Sequence, residues 1–429
     1  MTRTYGAHTQ NPRRKLAIIL SGGGARGAYE VGVLSYIFDR IAKLRGAPPK
    51  IAILSGTSVG AINACFLAAH MAEPDFGMKR LVQLWTELDM SQVLSFNLRQ
   101  ALLLPRVLTG GGSGAGIFDV RPLVKLANRE VNWRSISKSL RGGHLEVLSV
   151  SATEVRSGRT VVFMQTGPDG TLPTTTPPRT IIRADRIGPH HALASAAIPV
   201  LFPPVKIGHE LYVDGGLRQN TPIAPALRLG ATHVFAIGLS RDVRGIPTPD
   251  PGPVQAPGAA FLLGKVLNAF LLDHVQNDFE LMQRLNEVLM DGTRVYGPDF
   301  VEKLSAAARA RGGQAYRPVT ALSVQPSEDI GKLAAEHVRR GKVRGGALVT
   351  RQLLNLLDAG VGPDADLASY LLFDGTFARK LIDMGRSDAE ARREELLQFF
   401  GSASEDEPPA PSTDERPSGE WTLPPPSVG

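Results

Sequence analysis

The sequence predicts an α/β fold in which a mainly parallel sheet lies between layers of helices, followed by a mainly helical C-terminal extension. Three observations predict it. Short apolar runs with strand character alternate with helical segments from Lys15 to about Leu88, which is the order that a parallel sheet with crossover helices requires. Glycine-rich turns join the first two runs to the helices that follow them. From Gly331 to Phe400 the apolar spacing is mainly helical.

The first strand, predicted over Lys15–Leu20, is followed by a glycine-rich turn and a helix over Ala28–Leu44. The turn has the spacing G-x-G-x-x-G and consists of Gly22, Gly23, Gly24, Ala25, Arg26 and Gly27. Backbone N–H groups in such a turn can bind a phosphate or stabilise an oxyanion. Dinucleotide binding would require an acidic residue at the end of the next strand, about 20 residues further on. Asp39 instead falls inside the predicted helix, so we favour an oxyanion site whose loop Arg26 helps to order.

A second strand over Ile51–Leu54 leads through a sharp turn into a helix over Ala61–Ala69. Ser58 occupies this turn between Gly56 and Gly60, in the pattern Gly-x-Ser-x-Gly. Such an elbow strains the backbone of its central residue and leaves no room for side chains beside it. The pattern also arises by chance in many chains. The strand before it and the helix after it favour Ser58 as the nucleophile of an acyl transfer, because a helix N-terminus stabilises developing negative charge.

A later strand over Glu210–Val213 runs into Asp214, Gly215 and Gly216. An aspartate before two glycines is usually only a turn residue. As a base for a serine hydroxyl, a carboxylate with an ordinary pKa near 4 is poor, so the site must be dry enough to raise that pKa. The apolar residues that we expect to wall such a site, unless they serve only as core, are Ile198, Val200, Leu201, Phe202, Tyr212 and Val213.

A histidine base is the alternative to a direct serine–aspartate pair. The chain order of α/β-hydrolases makes His233, His274 and His337 the candidates that follow Asp214. His233 stands at the start of an apparent strand, where a surface or capping role is simpler. We therefore expect a Ser58–Asp214 dyad and little effect of replacing His233.

These motifs, in this order, resemble the patatin-like phospholipase family over roughly residues 15–240. The segment Ala194–Pro204 adds a further match, and two stretches, 326–331 and 370–375, resemble the C-terminal part of some bacterial members. The resemblance implies a three-layer α/β architecture, an oxyanion hole formed by the glycine loop, Ser58 as nucleophile and Asp214 as its proton acceptor. The glycines that support these motifs are Gly56, Gly60, Gly215 and Gly216.

The same resemblance implies an acyl-lipid substrate and hydrolysis of the phospholipase A, lysophospholipase or esterase type. A lipid transacylase and a catalytically silent lipid-binding or regulatory protein on the same fold are the alternatives. No cofactor is expected. The histidines are scattered and the sequence contains no EF-hand loop or other metal-binding motif, so activity should survive a chelator.

The composition fits one large α/β core with an appended region, since 43% of the 429 residues are hydrophobic. The single cysteine, Cys65, excludes an internal disulfide and fits a small buried residue. We expect a cytoplasmic protein, because no signal-peptide-like segment and no run of about 18 apolar residues is present. The net charge of +7 is not gathered into one basic run with aromatic residues, which disfavours nucleic acid as a partner.

Two apolar segments with basic residues, 94–108 and 259–272, have the composition of interfacial segments that dock on anionic lipid, and equally that of a lid or core helix. They leave peripheral membrane association open. The sequence does not indicate an oligomeric state.

Breaks in the pattern divide the chain into five parts. A glycine-rich stretch over 109–116 is predicted to be a mobile loop, and Asp119 is placed to cap a helix that contains Pro122–Ala127. Further strands are predicted over 145–152, 160–164 and 233–238. The parts are a basic N-terminal segment (1–14), a catalytic domain (15–240), a proline-rich connection (241–258), a mainly helical region with one last strand near 318–324 (259–400) and a disordered acidic, proline-rich tail (401–429).

Overall fold

The computed structural model describes residues 14–96, 118–173, 179–218, 221–241, 274–340 and 366–401, together with Gly116, residues 176–177 and Lys265. The strands in these ranges are β1 (Leu16–Leu20), β2 (Ile53–Thr57), β3 (Ser95–Phe96), β4 (Phe118–Asp119), β5 (Val147–Glu154), β6 (Thr160–Thr166), β7 (Thr180–Ala184), β8 (Val205–Ile207), β9 (Glu210–Asp214), β10 (His233–Ile237) and β11 (Thr320–Val324).

The helices of the same ranges lie on both sides of these strands. They are α1 (Gly27–Tyr36), α2 (Ala42–Arg45), α3 (Val59–Ala69), α4 (Pro74–Glu87), α5 (Met90–Val93), α6 (Arg121–Glu130), α7 (Trp133–Arg141), α8 (Pro189–Ser195), α9 (Ile223–Arg228), α10 (His274–Tyr296), α11 (Phe300–Ala310), α12 (Ile330–Arg339), α13 (Asp366–Leu371), α14 (Gly375–Ala391) and α15 (Arg393–Phe400).

Nine of the described strands form one mixed sheet whose main path is β11-β10-β1-β2-β5-β6-β7. The five strands from β11 to β5 are parallel neighbours. β6 reverses direction against β5, and β9 also pairs antiparallel with β5. The predicted mainly parallel sheet is confirmed, with two antiparallel additions at β5 that the strand pattern alone did not reveal.

Successive residues of β1 face two separate layers, as the period of a strand requires. Leu16, Ile18 and Leu20 belong to the large core beneath α1, α3 and α14, whereas Ala17 and Ile19 pack with α9 and α10 on the other face. The predicted arrangement of helices on both faces of the sheet is therefore confirmed. The helical C-terminal region is confirmed as well, since α14 lies along α1 and α15 closes the core with Phe399 and Phe400.

The expected second strand and first helix both differ in detail from the structure. The second strand is Ile53–Thr57 rather than Ile51–Leu54, because its ladder with β5 continues through Gly56 and Thr57. The first helix is interrupted by a π-helical turn at Ile37–Ile41. The strand expected near 318–324 occupies Thr320–Val324 and pairs with β10.

The helix expected near residue 122 begins at Arg121, and Val120 rather than Asp119 takes the N-cap position. Asp119 ends β4 and its Oδ1 accepts a hydrogen bond from the Arg121 amide at 2.9 Å. Its carboxylate therefore still satisfies one of the free amides at the helix start, from one position further out.

Several predicted features lie outside the described residues. They are the segment 1–13, most of the apolar segments 94–108 and 259–272, the glycine-rich stretch before Gly116, the proline-rich connection from residue 242 and the tail from residue 402. Within the described ranges, none of the helices combines the length and the apolar character needed to cross a bilayer.

Candidate active site

The site forms where β2 and β9 meet end to end along one edge of β5. β2 pairs with β5 as far as Thr57, which lies opposite Ser151. From the next residue of β5, Ala152, the same edge pairs with β9, and Asp214 lies opposite Ala152. The other edge of β5 is occupied by β6 over Val147–Thr153. The residue after β2, Ser58, is thereby brought against the last residue of β9.

The two side chains are in direct contact at this junction. Ser58 Oγ donates a hydrogen bond to Asp214 Oδ2 at 2.6 Å. Both residues are buried, and Ser58 is only 2% exposed. Ser58 also has a φ of 54°, a left-handed conformation that non-glycine residues rarely adopt. The sequence-predicted nucleophile and base are therefore neighbours, and the serine has the backbone strain expected of an elbow.

The surroundings of Asp214 alter its acidity. Burial raises its pKa to about 7, although hydrogen bonds from the Ser58 hydroxyl and the Gly216 amide oppose the shift. The amide bond to Oδ1 is 2.7 Å long and comes from the short 3-10 turn Gly215–Leu217. A carboxylate with this pKa binds a proton far more strongly than an exposed aspartate does, as a base for a serine hydroxyl must.

A second serine holds the elbow in place. Ser195, at the end of α8, accepts a hydrogen bond from the Ser58 amide at 2.8 Å and donates one to the Ser151 carbonyl at 2.6 Å. Sequence reasoning gave Ser195 no role, although it lies in the family-like segment Ala194–Pro204. Only its conservation among relatives, which one sequence does not show, could have singled it out.

The glycine loop packs directly against the elbow. Gly22 and Gly23 follow β1, residues 24–26 form a 3-10 turn and α1 begins at Gly27, all of them buried. A β-carbon on Gly60 would lie 2.5 Å from the Leu20 carbonyl oxygen, and one on Gly56 would meet the Gly60 carbonyl at the same distance. The absence of side chains at both elbow glycines therefore permits the close contact between the loop and α3, as predicted.

Arg26 connects the glycine loop to the C-terminal region. Its Nε donates to Ser369 Oγ at 2.7 Å, and its guanidinium lies 4.5 Å from the centre of the Tyr370 ring. Gly24, with a φ of 58°, leaves room for the Tyr370 carbonyl, which a β-carbon there would approach to 2.2 Å. The loop is thus held from outside by α13.

A buried carboxyl fixes the loop from the opposite side. Glu30 Oε1 accepts a hydrogen bond from the Ser21 amide at 2.6 Å, and Oε2 accepts one from Asn63 Nδ2 at 3.1 Å. Asn63 Oδ1 in turn accepts from Trp85 Nε1 at 3.1 Å. Burial raises the pKa of Glu30 to about 8. The sequence did not predict this network, because a single glutamate in a helical pattern is expected to face solvent, whereas the whole of α1 is buried.

An apolar cavity opens from the dyad. The space that it delimits, open solvent included, is about 880 Å³. Gly24 and Ser58 line one end and Glu130 is the only charged residue among the described residues of its wall. The apolar lining consists of Val59, Ile62, Phe66, Leu81, Leu84, Trp85, Leu88, Val93, Leu123, Leu126, Ala127, Val131, Ala196, Ile198, Phe202, Tyr370 and Phe373.

The expected wall residues are only partly in this lining. Ile198 and Phe202 contact the cavity, but Val200 points away and is 47% exposed. Tyr212 packs with Phe163 in a separate cluster beyond β5. Leu201 and Val213 are buried outside the lining. Half of the described wall comes from α3, α4 and α6, and of these helices the sequence associated only α3 with the site.

The described histidine side chains have other partners. His233 lies opposite Leu16 at the start of β10, at the N-terminal ends of the parallel strands, whereas the elbow follows the C-terminal end of β2. Its Nδ1 is 3.0 Å from Thr232 Oγ1. His337 Nε2 is 3.3 Å from Asp374 Oδ1. The His274 side chain is outside the described residues. The two described candidates thus provide no third member for the Ser58–Asp214 pair.

Two other sequence candidates are accounted for. Asp39 lies in the π-helical turn, exposed, with its carboxylate 2.5 Å from Lys43 Nζ, far from a strand end where a ribose hydroxyl would bind. Cys65 is completely buried on α3, and burial raises the pKa of its thiol. Among the described residues there is no group of three or more potential metal ligands.

The mixed α/β sheet and the serine–aspartate pair at a strained elbow define the class of protein. A model of the patatin-like phospholipase family matches residues 18–227, and these residues form a patatin-like phospholipase domain. The match includes the glycine loop, Ser58 and Asp214, while β10, β11 and α10–α15 lie beyond it.

Among curated proteins, the chain is 26% identical over 223 residues to the probable lipid hydrolase 463L of Invertebrate iridescent virus 6, covering 51% of this chain and 65% of the viral protein. It is 27% identical over 231 residues to patatin-like phospholipase domain-containing protein 7 of Rattus norvegicus, covering 53% of this chain but 14% of the rat protein. Among solved structures, human GIVD cytosolic phospholipase A2 aligns with 90% of this chain and 60% of its own, at 11% identity and a TM-score of 0.40.

Proposed function

We propose that the protein is a serine acyl hydrolase that cleaves carboxylic ester bonds of lipids through a Ser58–Asp214 dyad. The observation that carries the proposal is the 2.6 Å hydrogen bond from Ser58 Oγ to Asp214 Oδ2, with Ser58 lining an apolar cavity. The family match and the two named relatives support a lipid hydrolase in general terms.

The first half of the reaction would be acylation of Ser58. Its Oγ attacks the ester carbonyl while its proton passes to Asp214 Oδ2, and the carbonyl oxygen becomes an oxyanion. Collapse of the tetrahedral intermediate breaks the bond to the alcohol, which takes the proton from Asp214 as it leaves. The raised pKa of Asp214 makes both proton transfers less unfavourable than they would be with an exposed aspartate.

The glycine loop is the proposed oxyanion site. It lies against the elbow through Gly60, and Gly24 lines the same cavity as Ser58. Backbone N–H groups fixed in a buried loop stabilise the oxyanion without having to reorganise. Deacylation would repeat the sequence with water as the nucleophile, which returns its proton through Asp214 to Ser58 and releases a fatty acid.

The cavity supports an acyl lipid rather than a polar ester. Its described wall contains one charged residue, and Ser58 stands at one end of it. An acyl chain placed there would leave water for an apolar surface while its carbonyl carbon remained beside Ser58 Oγ.

The test is hydrolysis of a p-nitrophenyl ester series by wild type, Ser58→Ala and Asp214→Asn, with folding checked by circular dichroism. Ser139→Ala, a buried serine on α7, is the matched control and should keep wild-type rates. We expect both site variants to lose activity by at least about a thousandfold. Activity retained in folded Ser58→Ala would contradict the proposal.

Product analysis separates hydrolysis from the alternatives. Release of free fatty acid from a phospholipid, unchanged when an acceptor alcohol is added, indicates a hydrolase. Transfer of the acyl group to the alcohol indicates a transacylase. A wild type that binds lipid but turns over no ester would establish the silent lipid-binding alternative.

A further inference from the structure

The apolar cavity is a channel between three helices, with the reaction site at one end only. α3 and α4 run antiparallel. A β-carbon on Gly77, near the start of α4, would lie 2.5 Å from His70 Cβ, just past the end of α3. Further along α4, Trp85 Nε1 donates a hydrogen bond to Asn63 Oδ1 in the first half of α3. Lining residues are spread over Val59–Phe66 of α3, over Leu81–Leu88 of α4 and its C-cap, and over Leu123–Glu130 of α6. Phe66 and Leu81 are therefore at the end remote from Ser58.

The three segments have the same length. Each of them advances seven residues from its first to its last lining position, which corresponds to about 10 Å at the rise of an α-helix. Carbon–carbon bonds of about 1.5 Å meeting at about 111° advance about 1.25 Å each along an extended chain. The lining segments therefore extend over the length of about eight chain atoms beyond the reaction centre.

An ion-pair cluster lies at the remote end. Glu130, the last lining residue of α6, accepts a hydrogen bond from Arg80 Nη2 of α4 at 2.8 Å and one from Arg129 Nε at 2.6 Å. Its side chain is 13% exposed. Burial acts to raise the pKa of Glu130, but the hydrogen bonds from both arginines hold that pKa below its ordinary value. The group at this end is thus a charged one that joins two walls of the channel.

We propose that the Arg80–Glu130 ion pair is the acyl chain-length limit of this enzyme, so that esters of about eight to ten carbons fit best and longer chains are disfavoured. This inference rests on the proposed function, since it assigns the acyl chain to the channel. Each methylene buried against the apolar wall is worth about a fourfold gain in binding. A longer chain gains nothing further, because its end would have to strip water and hydrogen bonds from a charged pair.

The decisive variant is Glu130→Ala, which removes the closing carboxylate and leaves two arginines, Arg80 and Arg129, whose side chains are 35% and 63% exposed. Leu126→Trp fills the middle of the channel and acts in the opposite direction. Lys125→Ala, on the exposed side of the same helix, is the matched control. We would measure kcat/KM of wild type and variants on butanoyl, octanoyl, dodecanoyl and hexadecanoyl p-nitrophenyl esters.

We expect wild type and Lys125→Ala to prefer the octanoyl ester. In Glu130→Ala the ratio of hexadecanoyl to octanoyl kcat/KM should rise at least about tenfold, which two additional buried methylenes would supply. In Leu126→Trp the preference should move to the butanoyl ester. Wild-type turnover that depends on Ser58, combined with an unchanged ratio in Glu130→Ala, would overturn the inference and leave the proposed function standing.

Binding provides a readout that does not require catalysis. Calorimetric titration of Ser58→Ala with saturated fatty acids should show an affinity that rises with chain length to about eight carbons and then levels. In the double variant with both Ser58→Ala and Glu130→Ala, the affinity should continue to rise for longer chains. If the wild type hydrolysed no ester, this titration alone would decide the inference: the expected plateau and its extension would uphold the chain-length limit, and equal affinities for all chain lengths would overturn it.

Discussion

Ser195 holds the backbone of Ser58 rather than its hydroxyl: Ser195 Oγ accepts a hydrogen bond from the Ser58 amide at 2.8 Å and donates one to the Ser151 carbonyl at 2.6 Å. The Ser58 hydroxyl remains free to bind Asp214. The strained turn at Ser58 is therefore tied both to α8 and to the end of β5, which fixes the position from which its oxygen would attack.

Replacing Ser195 by alanine should lower kcat more than it changes KM. The buried Ser58 amide would lose its partner, at a cost of about 1–3 kcal/mol, and the elbow would relax away from the attacking position. We expect kcat to fall about ten- to a hundredfold, measured on the best p-nitrophenyl ester, with thermal unfolding followed in parallel. Equal losses in Ser139→Ala would show that the effect is general rather than positional.

Activity should depend on pH through Asp214. Only the ionised carboxylate can accept the Ser58 proton, and its pKa is raised to about 7 by burial. We therefore expect kcat/KM to fall about tenfold per pH unit below pH 7 and to level above it. The measurement is a pH–rate profile at low substrate concentration. An ordinary, unshifted aspartate would instead give a level profile down to about pH 4.

A histidine of ordinary pKa would produce a similar inflection, so the profile needs a control. His233→Ala should keep both the rate and the inflection, because His233 lies at the N-terminal end of the parallel strands and the elbow lies at their C-terminal end. An inflection that disappears with His233 would assign the titration to the histidine and contradict the dyad.

Asp214→Asn should stabilise the folded protein at alkaline pH. The folded-state pKa of about 7 lies above the unfolded value near 3.8, so the wild type loses stability as pH rises from about 4 to 7, by as much as about 4 kcal/mol. The variant escapes this loss. Denaturant unfolding should show the two proteins equally stable near pH 4 and the variant more stable at pH 8, whereas Asp39→Asn on the surface should show no such divergence.

Arg26→Lys should impair activity although charge is conserved. The buried guanidinium bonds Ser369 and stacks on Tyr370 at the same time, which an ammonium group cannot reproduce. We expect kcat to fall about tenfold and unfolding free energy to drop by about 1–3 kcal/mol. Arg40→Lys, on the exposed face of the π-helical turn, is the control and should change neither quantity.

The sequence motifs identified the residues of the proposed dyad because each motif is a local pattern. Gly60 must be small where the elbow meets the Leu20 carbonyl, and a glycine between a strand and a helix is visible in the chain. The pairing of Ser58 with Asp214 follows instead from β2 and β9 sharing one edge of β5. That arrangement depends on strand order, which alternation of apolar residues does not encode.

The wall of the proposed substrate channel is the part of the site that the sequence predicted wrongly. Val200 and Tyr212 adjoin the motifs in sequence but do not line the cavity, whereas α4 and α6 supply about a third of its described wall. Leu81 and Leu126 have the spacing of ordinary core residues, so nothing local distinguishes a helix face that lines a channel from one that packs against a neighbour. Glu130 similarly has the appearance of a solvated helical residue.

The contact between Arg26 and Ser369 joins residues 343 positions apart in the chain. At ribosomal rates of about 5–20 residues per second, the serine is made roughly 20–70 s after the arginine. During that interval the nucleophile and the aspartate have already been synthesised, but the glycine loop lacks the segment that holds it. We therefore expect a nascent chain whose N-terminal domain is complete to hydrolyse no lipid. It should become active only once the last helices have folded onto the loop.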